Sequence, residues 1–506
     1  MRQINQQKAG VLLSYVNLAL GSIIPIIYTP IMLSILGQQE YGLYNLSASV
    51  TNYLSLLNLG MGSAFVRYAA KYRGENNIDG IKKLMGMFIC IYSAMALLVC
   101  VGGGILSVFA DNLFAEGLTA AEISRLRILI VLMAVNMAIS MPTSTFNSIA
   151  TAFERFAFSK SLAIVETIAV PGLNLAILYM GGGSIGMAFV ALGVQIAARA
   201  VTFIFCQRKL KITPRFKNMP THLLKEIAGY CFFLFLSTIV DMLYWSTDKV
   251  MIGAILGTAM VAVYNVGGVF TSMMQNFAQA LSQVFTPRIV MMATKKDQSP
   301  KEISDLMIRI GRLQFFIVSF ILAGYTVFGQ YFLRLWLKDS SYDSAYYIAL
   351  LTMVPLAIPL IQSIAYSTMV AQNKHQFRAI IYAVIAVVNA VSTYLVLRRF
   401  GIIGAAVCTT VAFLLGNGII MNIYYHRVIK LDIPRFWLNI LRIAIIPISL
   451  VVTGLLFVHY IWPPTSIPIF LGEVAAFSVI FWALSWFLSL NSYEKQLLTG
   501  FIKKRG

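Results

Sequence analysis

Charge is what this chain of 506 residues has least of: 11% of it is Asp, Glu, Lys or Arg, against 59% hydrophobic residues. Soluble globular domains carry about 25% charged residues, which excludes water as the main solvent. Histidine is scarce, four in all at His222, His375, His426 and His459, scattered over span ends and loops. A His-built metal site or His-based acid–base catalysis has too little material, so no metal site and no catalytic residue is expected. The five cysteines, Cys90, Cys100, Cys206, Cys231 and Cys408, lie in apolar stretches without CxxC spacing and read as small core residues. Acidic groups are also few, 19 against 39 Lys and Arg, which leaves a formal charge of +20.

In a soluble protein that surplus would suggest nucleic acid. Here its distribution decides otherwise. A helix crosses the hydrocarbon with about 20 apolar residues, and the hydropathy pattern places about fourteen spans in this chain. They fall near 10–36, 41–66, 83–109, 126–150, 159–180, 184–206, 226–255, 259–287, 306–330, 344–371, 377–397, 401–425, 437–460 and 467–489. The first apolar run is much longer than a secretory signal's hydrophobic region and is followed by no small-residue cleavage site, so it reads as a retained span. With the N-terminus placed inside, 31 of the 39 basic residues fall in cytoplasmic segments. Six fall outside, and Arg199 and Lys249 fall within spans. This asymmetry orients the chain with both termini in the cytoplasm, and it removes nucleic acid as a partner because the charge is spread over many short loops. Loop charge also attracts anionic membrane lipid.

The chain resembles itself at an offset near 220. Ile35-Leu36-Gly37 and Tyr44-Asn45-Leu46 meet Ile255-Leu256-Gly257 and Tyr264-Asn265-Val266, Arg67 meets Arg288, and Ile185-Gly186-Met187-Ala188 meets Ile403-Gly404-Ala405-Ala406. Six spans is an even number, so the two copies enter the membrane the same way and form parallel repeats. The expected fold is therefore all-α and integral to the membrane: two six-helix pseudo-symmetric lobes around a central cavity, with two extra C-terminal helices. The lobes are expected at residues 1–206 and 226–430, joined by a basic cytoplasmic linker at 207–225, with the extra helices and a basic tail at 431–506.

Prolines Pro25, Pro30, Pro142, Pro171, Pro287, Pro355 and Pro359 fall inside spans, where each frees a carbonyl and bends its helix. That suits either helices that flex during alternating access or static kinks. Ionisable groups within the hydrocarbon cost about 2.5–3.5 kcal/mol each and need a reason. Asp241 and Asp248, seven residues apart, fall on one face of span seven, as a lumen-lining pair for ion or proton coupling or as partners of Lys249 and Arg199 holding helices together. Glu166 and Glu473 are weaker candidates. Arg67 and Arg288 occupy equivalent cytoplasmic span ends, one per lobe, where two guanidinium groups could clamp a diphosphate or serve as ordinary membrane anchors. Amide and aromatic residues, among them Tyr44, Asn45, Asn52, Tyr264 and Asn265, could form a polar lumen for sugars or bond helix to helix.

Asp248-Lys249-Val250-Met251-Ile252-Gly253, then Leu256-Gly257 and Val263-Tyr264-Asn265-Val266, resembles the seventh-to-eighth-span signature of polysaccharide flippases. Leu36-Gly37 through Tyr41-Gly42-Leu43-Tyr44-Asn45 is similar to the first-to-second-span pattern of that family. Ala371-Gln372-Asn373-Lys374 and Asn389 through Gly401-Ile402-Ile403-Gly404-Ala405-Ala406 are similar to its tenth-to-twelfth-span motifs. The family is the polysaccharide-export branch of the multidrug/oligosaccharidyl-lipid/polysaccharide exporter superfamily, and the resemblance covers about residues 8–430. It implies a transporter in the bacterial inner membrane. Its cargo would be undecaprenyl-diphosphate-linked oligosaccharide units of capsule, O-antigen or similar glycans, moved from the inner to the outer leaflet. The implied protein has no cofactor, draws on a Na+ or H+ gradient or the membrane potential, functions as a monomer and works beside polysaccharide assembly enzymes. A multidrug or cation exporter of the same superfamily is the alternative, and a membrane-embedded glycan polymerase or transferase the second. For the polymerase the outside segments near 110–125 and 330–343 are short.

The topology is directly checkable. Alkaline phosphatase fused after residue 117 is expected to be active, and fused after residue 217 or 430 inactive, because only the first junction lies outside.

Overall fold

Ten helices among the described residues are long and apolar enough to cross a membrane. The computed structural model describes residues 2–294, 300–372, 374, 376–492 and 494–496. Within them the side chains of 2–5, 7, 8, 230, 232–234, 236, 237, 240, 241, 243–245, 281, 283–294 and 300 are not described. The described chain is helical with no strand, as an all-α membrane fold requires. Contacts divide it into two compact units, Met1–Asn265 with Ala390–Gly401, and Val266–Asn389 with Ile402–Gly506.

The first unit begins with α1 (Arg2–Asn52), a continuous run of helical hydrogen bonds interrupted at Gly37, where φ is 76° and ψ 168°. A side chain at that φ is disfavoured, and glycine is the residue that adopts it freely. After a 3-10 segment (Tyr53–Asn58) come α2 (Met61–Gly74), α3 (Ile78–Phe114), α4 (Ala120–Ala152), α5 (Phe156–Tyr179), α6 (Gly183–Phe205), α7 (Leu224–Trp245) and α8 (Thr247–Leu256). Start signals are local: Asn77 accepts from the Gly80 N–H, and Thr119 with Glu122 forms a reciprocal capping box at α4. The core packs Phe65, Leu84, Met85, Phe88 and Tyr92, all nearly inaccessible, with Phe65 meeting Phe88 edge to face at 5.1 Å. The other side of α3 is the reverse. Leu97, Leu98, Val101, Ile105, Val108 and Phe109 are each more than half exposed. An apolar stripe of that size is stable only against hydrocarbon.

The 207–225 segment is pinned to α3. The Arg215 N–H donates to Lys82 O at 2.9 Å, its guanidinium meets Asp79 at 2.6 Å, and Ile212 is buried in the core cluster.

The second unit holds the remainder of α9 (Thr258–Thr294), then α10 (Pro300–Leu337), α11 (Asp343–Ile361), α12 (Ser363–Ala371), α13 (Gln376–Phe413) apart from its Ala390–Gly401 stretch, α14 (Met421–Arg427), α15 (Ile433–Leu456) and α16 (Ile467–Leu484). The last two pack on α10 through Phe328, Phe470, Phe477 and Phe481. Fully buried Glu494 accepts from Arg312 Nε at 2.6 Å and Nη2 at 3.1 Å, tying the chain beyond α16 back to α10. One partner removed would strand a buried charge.

The internal repeat reappears in backbone geometry. Gly257 has φ 89° where Gly37 has 76°, and Gly401 has φ 60° where Gly183 has 57°. Phe158 stacks on Phe205, and at the equivalent place Phe377 stacks on Tyr424, both pairs with planes 7° apart.

Three spans expected to be continuous are broken. The second breaks at Leu59 and Gly60, both left-handed, the seventh bends at Ser246, and the tenth breaks at Gln362. Meanwhile Pro25, Pro30, Pro142, Pro171, Pro355 and Pro359 lie inside helices that continue past them. The breaks fall where side chains or left-handed residues interrupt the ladder, and proline alone does not end a helix whose neighbours take up the freed carbonyl.

Gly42 supports the backbone of Thr258 directly, and a methyl group there would overlap the Thr258 carbonyl, whereas Gly21 faces open space. Gly42→Ala is therefore expected to lower the thermal midpoint in detergent by more than about 4 °C, and Gly21→Ala to leave or raise it. Fluorescence-monitored unfolding of the two variants checks the contrast.

Candidate functional site

Ser246 to Lys249 are four consecutive polar residues at the bend between α7 and α8, and each finds a partner in the first unit. Asn52 Nδ2 donates to Ser246 Oγ at 3.0 Å, and the Tyr53 and Thr247 hydroxyls meet at 2.8 Å. Tyr264 OH donates to Asp248 Oδ2 at 2.7 Å, and Lys249 Nζ donates to Asn265 Oδ1 at 2.7 Å. The geometry follows from the chain. The Gly257 turn folds α9 back along α8, which brings residues sixteen apart in the chain together, 248 with 264 and 249 with 265. Asn265 then donates to Tyr41 OH at 2.8 Å, which extends the chain of bonds into α1.

Beneath this node lies a cavity of about 570 Å³. Asn45, Ala48, Ser49, Thr51 and Asn52 of α1 line it, with Met133, Asn136, Met137 and Ser140 of α4, Gln195 of α6, Ser246 and Lys249. Among the described residues four amides, four hydroxyls and one ammonium surround the space, and no carboxylate lines it. Gln195 Nε2 donates to the Asn136 main-chain oxygen at 2.7 Å, bracing α6 on α4, while Asn136 Oδ1 is buried without a hydrogen-bond partner.

Of the residues picked out by sequence, Asp248 and Lys249 stand at this node, Asp248 only 2% exposed. Arg199 pairs instead with Glu166 at 3.9 Å. The run that carries Asp241 and Asp248 bends at Ser246 between them, where φ is −111°. The Asp241 side chain lies outside the described residues, as does that of Arg288 on α9. Arg67 is exposed on α2. Asn45 and Asn52, expected as lumen candidates, line the cavity, and Tyr264 and Asn265 hold Asp248 and Lys249. Asn136, Ser140 and Gln195 were missed: each sits directly between apolar neighbours in its span, with no partner visible in sequence. The repeat adds an asymmetry, since 220 residues before Asp248 and Lys249 stand the uncharged Tyr28 and Thr29.

The fold is that of known membrane proteins. It is similar to a lipid II flippase, MurJ, in an inward closed conformation, with TM-score 0.65 and 14% identity over 94% of this chain and 98% of that one. It is also similar to an inward-facing multidrug resistance MATE family transporter of the MOP superfamily, with TM-score 0.58 and 14% identity over 79% and 96%. A mutant of the Vibrio cholerae MATE transporter VcmN gives TM-score 0.58 and 12% identity over 85% and 99%. At such identities the likeness is one of fold. No curated protein sequence matches the chain.

Fold and cavity together define an all-helical, multi-pass membrane protein with the architecture of the multidrug/oligosaccharidyl-lipid/polysaccharide exporter superfamily. Residues 8–293, more than half of the chain, match the polysaccharide biosynthesis protein family, and the chain belongs to that family.

A carboxylate as buried as that of Asp248 depends on its hydrogen bonds. Tyr264→Phe is expected to cost about 1–3 kcal/mol of stability, read as a lowered unfolding midpoint, because Asp248 loses a donor without gaining water.

Proposed function

We propose that this protein is a flippase that carries undecaprenyl-diphosphate-linked oligosaccharide units of capsule, O-antigen or a related polysaccharide from the inner to the outer leaflet by alternating access. The observation that carries the reading is the cavity wall: amides and hydroxyls with one lysine and, among the described residues, no carboxylate. Sugars are bound by such neutral hydrogen-bonding groups, whereas an exporter of cationic drugs needs negative charge in its lumen. The family supports the glycan side of the reading, since its members are polysaccharide biosynthesis proteins. Broken helices at 59–60, 246 and 362 support alternating access, because discontinuous spans supply hinge positions and free backbone groups beside a cavity.

In this proposal Arg67 and Arg288 bind the diphosphate at the cytoplasmic ends of two six-helix lobes, 1–206 and 226–430, joined through 207–225 and followed by the appended helices of 431–506. Guanidinium forks match phosphate oxygens and stay charged in a partly dry vestibule. Asp241 and Asp248 with Lys249 are the proposed coupling groups for a Na+ or H+ gradient or the membrane potential, with Arg199 supporting them through the α5–α6 pair. The protein acts as a transporter and not as an enzyme, works as a monomer in the bacterial inner membrane with both termini cytoplasmic, and supplies polysaccharide assembly enzymes.

The test is leaflet transfer of a labelled undecaprenyl-diphosphate oligosaccharide in liposomes containing the purified protein. Transfer is expected, and the Arg67→Ala, Arg288→Ala double variant is expected to slow it by at least about tenfold, a loss of about 1.4 kcal/mol. Transfer unaffected by the double change discards the clamp and keeps the flippase. Absence of transfer together with efflux of cationic dyes overturns the flippase in favour of a drug exporter.

A further inference from the structure

The cavity's hydrogen-bonding groups are not evenly divided between donors and acceptors. Ser49 Oγ donates to Asn45 O at 2.9 Å, Thr51 Oγ1 to Ser47 O at 2.8 Å and Ser140 Oγ to Met137 O at 2.7 Å. Each hydroxyl proton is thereby spent on its own helix, and what the hydroxyl keeps is lone pairs. Asn45 Nδ2 donates to Tyr41 O at 2.8 Å, Asn52 Nδ2 to Ser246 Oγ, and Gln195 Nε2 to Asn136 O, so three of the four lining amides also spend a donor on the protein. Asn136 Oδ1 stays buried and unbonded. An acceptor left without a donor in such a place costs about 1–3 kcal/mol, and a ligand that brings the donor recovers it.

Lys249 is the exception on this wall. Its ammonium carries three protons, of which Asn265 Oδ1 takes one at 2.7 Å. It lies eight residues before the Gly257 turn, about 12 Å along the helix axis at 1.5 Å per residue. A single ammonium among neutral amides matches a single negative group better than a diphosphate, which carries more charge and several oxygens.

From the surplus of acceptors and the lone ammonium we infer that the cavity is a subsite for an acidic sugar: a polyhydroxylated ring whose hydroxyl protons meet Ser49, Ser140 and Asn136, and whose carboxylate meets Lys249. The inference rests on the flippase reading and narrows its substrate class to lipid-linked glycans that carry a carboxylate of their own in addition to the diphosphate. Lys249 then selects among glycans, while the diphosphate is bound elsewhere.

Two lipid-linked oligosaccharides that differ only in one residue, a neutral hexose against the matching uronic acid, separate the outcomes. Leaflet transfer in proteoliposomes is measured for each with the wild type, Lys249→Gln, Lys249→Arg and Asn136→Leu, all checked for a wild-type elution profile and thermal midpoint. Wild type is expected to move the acidic glycan about tenfold faster than the neutral one. Lys249→Gln is expected to bring that ratio to about one, Lys249→Arg to restore most of it, and Asn136→Leu to slow both glycans by about fivefold, the loss of one hydrogen bond near 1 kcal/mol. Equal rates for the two glycans in the wild type overturn the inference and leave the flippase standing. So does a Lys249→Gln effect equal on both glycans, which would give the lysine a role both cargoes share, such as coupling, and no part in telling them apart. No transfer of either glycan overturns the flippase reading and this one with it.

Discussion

A peptide group or side chain placed in hydrocarbon has no water to turn to, and the arrangement of this chain follows from that restriction. Helix is the backbone's own answer, which is why the described residues are mostly helical and hold no strand. Polar side chains have no such private solution. Serines and threonines give their protons to carbonyls three or four residues back, as Ser22, Ser49, Thr51 and Thr202 do. Amides and charged groups must find partners on other helices, and the 246–249 node is where that demand concentrates. Four consecutive residues meet Asn52, Tyr53, Tyr264 and Asn265, so one bend in one helix is fixed against α1 and against the returning α9.

The same restriction makes close approach of backbones valuable. Gly42 lies against Thr258, Gly117 against Gly253 and Gly86 against Arg215, each where a side chain would overlap main-chain atoms. Without a hydrophobic force between helices in lipid, such close contacts and interhelical hydrogen bonds are what hold spans together. Glu122 shows how one residue serves both ends. It caps α4 through Thr119 and accepts from Thr258 Oγ1 at 2.6 Å, linking the start of α4 to the start of α9. Charge follows the same economy in the second unit, where Arg378 lies over the rings of Tyr366 and Tyr382 at 4.3 and 4.6 Å.

The repeat ties structure to function. Its two copies share turns at Gly37 and Gly257, yet Tyr28 and Thr29 stand in one copy where Asp248 and Lys249 stand in the other. Duplication provides two similar helical hairpins, and the cavity gains its charge from one of them.

Sequence alone was enough for the solvent, the helical class, the duplicated plan and the family pattern, because each is written in local composition or in spacing along the chain. Hydrophobic runs of span length and a glycine at the same offset in both copies need no tertiary contact to be read. The glycine turns at 37 and 257 were visible in this way, and so were Asn45, Asn52, Asp248 and Lys249 as polar residues out of place in lipid. The breaks at Leu59 and Gln362 were not visible, nor was the bend at Ser246, because each depends on what the neighbouring helix offers. The prolines at 25, 30, 142, 171, 355 and 359 lie in helices that continue past them. Only the packed structure decided that Asn136, Ser140 and Gln195 share a cavity with Lys249 and that Arg199 turns to Glu166. Partners on different helices are chosen by distance in space, and a single sequence carries no record of that distance.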